Sequence, residues 1–169
     1  THGTESLTNK ASSYYEEQER IASYSSFKLT LEGGDKEQGA RVFYNNEAAQ
    51  CTKCHAIFEY GGNAGPGLED LGKRLTKKQI LASLITPSSE YAIGYEVVSL
   101  TLKDGTNEAG IVMERTKEHV KLKLGKEDIR TIPQVDIAES QSLPSSMLPM
   151  GSVLKKKEIR DLVAFLKKL

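Results

Sequence analysis

Residues 51–67 read CTKCHAIFEYGGNAGPG, and the predicted fold and function both depend on this stretch. It contains the only two cysteines of the chain, Cys51 and Cys54, three positions apart, and His55 follows directly. Three kinds of site use such a cluster: a redox-active dithiol, part of a zinc site, and the covalent attachment site of a haem. The surrounding sequence separates these three possibilities.

The number of available ligands argues against zinc. A structural zinc ion normally has four protein ligands, arranged as two pairs. The cluster supplies three at most, and the other histidines, His2 and His119, have no paired spacing. Cys54 and His55 are also adjacent, which makes it awkward for both to point at one tetrahedral ion.

The sequence context argues against a redox dithiol. In thioredoxin-like proteins, the two cysteines open a helix that follows a buried strand of a βαβ unit. Here the segment before Cys51 is polar and predicted to be helical, and the segment after it is rich in glycine. Neither side of the motif resembles a βαβ unit.

Haem attachment fits every feature of the cluster. Two thiols at this spacing can add to the two vinyl groups of one porphyrin edge, which places the adjacent histidine under the iron. Both cysteines of the chain are then used. We therefore predict one haem c (iron) per chain, anchored by Cys51 and Cys54, with His55 as the proximal ligand.

A six-coordinate haem iron needs a second axial ligand, and a methionine thioether is a common one. The chain has three methionines. Met113 lies in a predicted strand and is expected in the core. Met147 and Met150 lie in a proline-containing loop before the last helix, and both are candidates.

Helix signals flank the cluster on both sides. Asp35 followed by Gln38 predicts a capping box at the start of a helix, whose Gly39 and Phe43 are expected to pack against the last helix. Thr76 and Gln79 predict a second capping box. The clearest helix is 155–169, where apolar residues recur at i, i+3, i+4 and i+7.

Between these helices the apolar period changes to two, which indicates strands. Asp104-Gly105 is a hairpin signal. These signals predict a small antiparallel sheet of three to five strands, with strand segments at Tyr95–Leu102, Ala109–Met113, His119–Leu124 and Ile129–Ile132.

Composition limits the possible functions. The 169 residues include 23 basic and 23 acidic side chains, so the net charge is zero and a general nucleic-acid binder is not expected. No apolar run approaches the ~18 residues of a membrane span. The first residues lack the pattern of a secretion signal, which is expected if one has been removed or if the chain is part of a longer protein.

The chain contains, in this order, GGDKEQGARVF, CTKCH, NAGPGLEDLGKRLT, SSMLPMG and EIRDLVAFL. Together these stretches resemble a class I c-type cytochrome domain. Five motifs in the right order give a closer resemblance within this family: Gly33–Asp35, Gly65–Arg74, Pro87–Glu96, Ser145–Gly151 and Arg160–Leu166. They resemble the haem-binding domain at the C-terminal end of large exported bacterial dehydrogenase-like proteins, and the resemblance covers roughly residues 31–169.

The resemblance implies roles for two more residues and a fold. Met147 falls on the distal methionine of the family, although Leu148 stands where the family has proline, and Met150 is the less favoured alternative. Pro66 is expected to accept a hydrogen bond from His55. The implied fold is mainly α, a class I cytochrome c domain over 31–169 with a small antiparallel β insertion at about 95–138, preceded by a polar arm or linker at 1–30.

The resemblance also implies a function. The chain is expected to be a periplasmic or otherwise exported electron carrier rather than an enzyme. Its expected partner is a PQQ-type sugar or alcohol dehydrogenase, separate or in the same chain. The alternative is a five-coordinate haem c protein that binds a gas or activates peroxide.

Overall fold

The computed structural model describes residues 17–125 and 127–169, and the chain divides into two compact units. Unit 1 combines the chain up to Thr86 with Pro149–Leu169, and unit 2 is Pro87–Leu148. Helices hold 38% of the described residues and strands 23%. No helix in the described part of the chain is long and apolar enough to cross a membrane.

Unit 1 is built from helices and one short hairpin. The described part of helix α1 covers residues 17–26. The other elements are a 3₁₀ turn at Lys28–Leu31, helices α2 (Lys36–Asn45) and α3 (Cys51–Cys54), strands β1 (Ala56–Ile57) and β2 (Tyr60–Gly61), helices α4 (Leu71–Arg74) and α5 (Lys77–Ile85), a 3₁₀ turn at Met150–Ser152, and helix α6 (Lys156–Leu166).

The core of unit 1 is centred on the packing of α2 against α6. A Cβ atom built on Gly39 would lie 2.0 Å from the carbonyl oxygen of Asp161, so the two helix backbones touch at this point. One turn further along, the ring centroids of Phe43 and Phe165 are 5.8 Å apart. The predicted packing of Gly39 and Phe43 against the last helix is therefore confirmed.

The start of α2 is fixed by two carboxylates. Asp35 accepts hydrogen bonds from the amides of Glu37 and Gln38, which confirms it as the N-cap. The predicted return bond from the Gln38 side chain is not found among the described residues. The Asp35 amide donates instead to Oδ1 of the buried Asp161, at 3.0 Å. The second capping box, between Thr76 and Gln79, is confirmed.

The Asp35 cap predicts a pH-dependent stability. The hydrogen bond from the Gln38 amide, followed by the interactions with Glu37, lowers the pKa of Asp35 below its ordinary value of 3.8. A lowered folded-state pKa stabilises the fold above the unfolded pKa, and this contribution is lost as the pH falls through the folded value. We expect the urea midpoint to fall below about pH 4 less steeply in Asp35→Asn than in the wild type. Identical pH profiles would contradict this role.

The predicted arm at 1–30 is only partly covered by the structure, because residues 1–16 lie outside the described residues. Residues 17–26 are helical, and Phe27 and Thr30 are buried. The Lys156 ammonium lies 5.4 Å from the centroid of the Phe27 ring. Phe27 therefore packs at the end of unit 1 that holds the start of α6.

Unit 2 is a five-stranded antiparallel sheet with the order β6-β5-β4-β3-β7. Its strands are β3 (Val97–Leu102), β4 (Asn107–Arg115), β5 (His119–Lys123), β6 (Ile129–Pro133) and β7 (Ile137–Ser142), with a 3₁₀ turn at Gln134–Asp136. The predicted hairpin turn is confirmed, since Gly105 has a φ of +87° and the Asp104 side chain accepts from the Thr106 amide. Alternate residues form a separate hydrophobic cluster: Val98, Leu100, Val112, Val120, Leu122 and Ile132.

The predicted fold class, a mainly α class I cytochrome c fold with a small β insertion, is wrong. The chain has a mixed α/β fold, in which the five-stranded sheet has its own buried cluster. Five strands agree with the predicted three to five, but the position of β7 was not predicted. Strand β7 (IAESQS) was missed because it is polar and almost fully exposed, so it lacks the period-two apolar signal. The prediction therefore gave the β structure too little weight.

Candidate functional site

Helix α3 is a single turn that carries both cysteines. It begins after Gln50, whose φ of +47° is left-handed, and the His55 amide closes it by donating to the Cys51 carbonyl at 2.9 Å. Residues at i and i+3 of a helix lie on one face. Cys51 is half-buried, Cys54 is exposed, and both thiols are free. The turn therefore presents two unpaired thiols on the same side.

The two thiols differ in environment. Burial raises the pKa of the Cys51 thiol, and the nearby Cys54 acts in the same direction. A thiol is nucleophilic only as the thiolate, so Cys51 is held in its less reactive form at neutral pH.

The imidazole of His55 is oriented by a backbone carbonyl. Nδ1 of His55 lies 2.9 Å from the carbonyl oxygen of Pro66, the contact that the family resemblance implies. A carbonyl can only accept a hydrogen bond, so Nδ1 carries the proton. In the neutral ring, Nε2 then has a free lone pair and can bind a metal ion.

Gly65 lies against the same ring. A Cβ atom built on Gly65 would be 2.6 Å from Cε1, 2.9 Å from Nδ1 and 3.1 Å from Nε2 of His55. The imidazole therefore occupies the space of a missing side chain. This contact and the Pro66 carbonyl together restrict both the position and the rotation of the ring.

The loop after β2 is bonded through its backbone to residues 51–56, which we call the cysteine segment. Three of its amides donate to carbonyls of this segment. The three bonds run from Gly62 to Thr52 (2.9 Å), from Gly65 to Cys54 (2.8 Å) and from Leu68 to Ala56 (2.9 Å).

The end of this loop is held by α4 and α6. Arg74 donates from Nη2 to the carbonyls of Gly67 and Glu69, at 3.2 and 3.0 Å. A Cβ atom on Gly72 would lie 2.2 Å from the Lys167 carbonyl oxygen. The Lys167 ammonium donates to the carbonyls of Gly72 and Leu75. The motif GPGLEDLGKR thus forms one bonded segment. Sequence reasoning noticed the motif but did not assign these contacts.

The three methionines have different surroundings. Met150 is only 5% exposed and belongs to unit 1, whereas Met147 is half-buried and belongs to unit 2. Met113 lies in β4, but it is 42% exposed, so its expected place in the core is wrong. Gly110 and Val112 are the buried residues of β4, so the period-two alternation of the strand places Met113 on the opposite face.

The predicted site residues of unit 1 are thus brought together: Cys51, Cys54, His55 and Pro66 lie within one bonded segment. Within residues 17–125 and 127–169, no group of three or more His, Cys, Asp or Glu side chains is arranged to hold a metal ion. Comparison with models of known protein families finds no match to this chain, and comparison with curated proteins finds none.

Proposed function

We propose that the chain binds one haem c covalently through Cys51 and Cys54, with His55 as an iron ligand, and that it transfers single electrons. The observation that carries this proposal is the arrangement of His55. Its Nδ1 proton is held by the Pro66 carbonyl, and its Nε2 lone pair is available one residue after two free thiols. Cys51, Cys54 and His55 therefore fit a covalently bound haem.

The chain's own residues would each have a definite task. The sulfurs of Cys51 and Cys54 would form thioethers that keep the cofactor in place without a large apolar pocket. The Pro66 carbonyl would keep the Nδ1 proton on His55 and make the ring a stronger electron donor, as partners of ligating histidines generally do. When bound, the haem supplies a one-electron iron couple whose potential depends on the axial ligands and the surroundings.

We further propose Met147 as the sixth ligand, because it falls on the distal methionine of the resembling family. Met150, the less favoured alternative, is almost fully enclosed in unit 1.

Replacing the two methionines separately distinguishes a ligand from a core residue. We expect Met147→Ala to abolish the weak red absorption band that sulfur ligation gives ferric haem. Met150→Ala is expected to keep this band but to lower the unfolding free energy by about 2–5 kcal/mol, as for other buried methionines. The measurements are ferric absorption spectra and urea unfolding. Loss of the band only in Met150→Ala would reverse the assignment.

The same spectra test the main alternative. If neither methionine binds, the ferrous iron has an open position, and carbon monoxide should shift the spectrum of the wild-type protein. If the iron is six-coordinate, carbon monoxide should have little effect. A large shift in the wild type would favour a gas-binding or peroxide-activating protein over an electron carrier.

For the physiological setting, we propose an exported, periplasmic electron acceptor for a dehydrogenase of the PQQ type that oxidises sugars or alcohols. The dehydrogenase would be a separate protein or another part of the same chain. The support is the family resemblance of residues 31–169. Rapid mixing with a substrate-reduced PQQ-dependent alcohol or sugar dehydrogenase should reduce the haem, and no reduction by either type would contradict this partner.

A further inference from the structure

The cysteine segment (residues 51–56) is in close contact with Gly61, Gly62 and Gly65, and a Cβ atom added at any of them would lie within 3.0 Å of it. A Cβ atom on Gly62 would lie 2.0 Å from the carbonyl oxygen of Lys53, in the middle of α3. Gly61 has a φ of +130°, and its Cβ would lie 2.2 Å from the carbonyl oxygen of His55. These glycines let the loop approach closely enough to form its hydrogen bonds.

Gly62 and Gly65 contact different parts of the cysteine segment. Gly62 touches the backbone between the two cysteines, and its amide donates to Thr52. Gly65 touches the imidazole of His55, and its amide donates to Cys54. Cβ atoms are essentially never found within 3.0 Å of another group, so a side chain at either position requires a shift. At position 65 the group that must move is the His55 ring.

We propose that Gly62 and Gly65 are positioning residues that set the orientation of the His55 imidazole and, through it, the reduction potential of the bound haem. The part concerning the potential rests on the proposed function. A displaced ring has a longer hydrogen bond from Nδ1 to the Pro66 carbonyl. The histidine then becomes a weaker donor, which stabilises ferric iron less and moves the potential to a more positive value.

Gly67 provides a matched control in the same loop. A Cβ atom there would meet only the carboxylate end of the Glu69 side chain, at 2.6 Å from Oε2. That end is flexible and can move away. Gly67→Ala therefore makes the same chemical change two residues from Gly65 without touching His55 or α3.

The test is a redox titration of the full-length haem protein, combined with NMR measurement of the exchange rate of the His55 Nδ1 proton. We expect Gly65→Ala and Gly62→Ala to show a more positive potential and a faster exchange than the wild type. Gly67→Ala should match the wild type in both. Unchanged potential and exchange in Gly65→Ala and Gly62→Ala would overturn the proposal.

Two further outcomes are informative. If Gly65→Ala and Gly62→Ala do not fold, the proposal is tested on the wild type alone, by the exchange rate of its His55 Nδ1 proton. We expect this proton to be protected from exchange. Exchange as fast as in free imidazole would overturn the proposal. If the wild type binds no haem, the proposed function fails. The orientation of His55 is then tested by the same exchange comparison on the haem-free chain.

Discussion

Replacing both Cys51 and Cys54 with serine is expected to abolish covalent haem attachment completely. Serine hydroxyls do not add to the vinyl groups, so no bond between chain and cofactor survives denaturation. Each single replacement should leave one thioether and keep the haem on the denatured chain at a reduced yield. The measurement is haem staining of denaturing gels, with the intact mass of each variant.

Thr52→Ser is a suitable control for this experiment. It changes a residue between the cysteines and keeps their spacing, and the Thr52 atom bonded to Gly62 is the carbonyl oxygen, which serine retains. Full haem loading is expected. If the double serine variant still carries haem after denaturation, the attachment site lies elsewhere in the chain.

The second large effect is expected at Gly39, where α2 crosses α6. Alanine at an exposed helical glycine would gain about 1 kcal/mol in helix propensity. Here the added Cβ would lie 2.0 Å from the Asp161 carbonyl oxygen and 2.7 Å from the Cβ of Phe165, so the helices must separate. Overpacking of this kind typically costs about 1–3 kcal/mol. Both clashes involve atoms that cannot swing away, so we expect Gly39→Ala to destabilise unit 1 by about 2 kcal/mol net.

Urea unfolding of Gly39→Ala measures this effect, and Gln38→Ala is its control. Gln38 is the preceding residue of α2, and its side chain is exposed. Its replacement should therefore change the unfolding free energy little. If Gly39→Ala were as stable as the wild type, the close packing of α2 on α6 would be contradicted.

The local features of the fold could be predicted because a few neighbouring residues determine them. Asp35 and Thr76 begin helices through side chains that reach amides two or three positions away. Asp104-Gly105 forms a tight turn through the positive φ of glycine. The position of the fifth strand was harder to predict, since β7 pairs with β3 across some forty residues and has no apolar alternation of its own.

In the candidate site, too, the features set by neighbouring residues could be predicted, and those set by distant residues could not. Cys51, Cys54 and His55 are contiguous, so their chemistry could be read directly from the sequence. The fit of Gly65 against the His55 ring depends on a distance of a few ångströms across a ten-residue loop. A glycine-rich sequence indicates that close approaches occur, but it does not say which atoms meet.

The central claim is tested most directly by the intact mass and absorption spectrum of the full chain, produced in a bacterium that matures c-type cytochromes. The expected result is the mass of the chain plus one haem, a Soret band that stays with the denatured protein, and no titratable thiol. A chain of unmodified mass with two reactive thiols and no Soret band would contradict it.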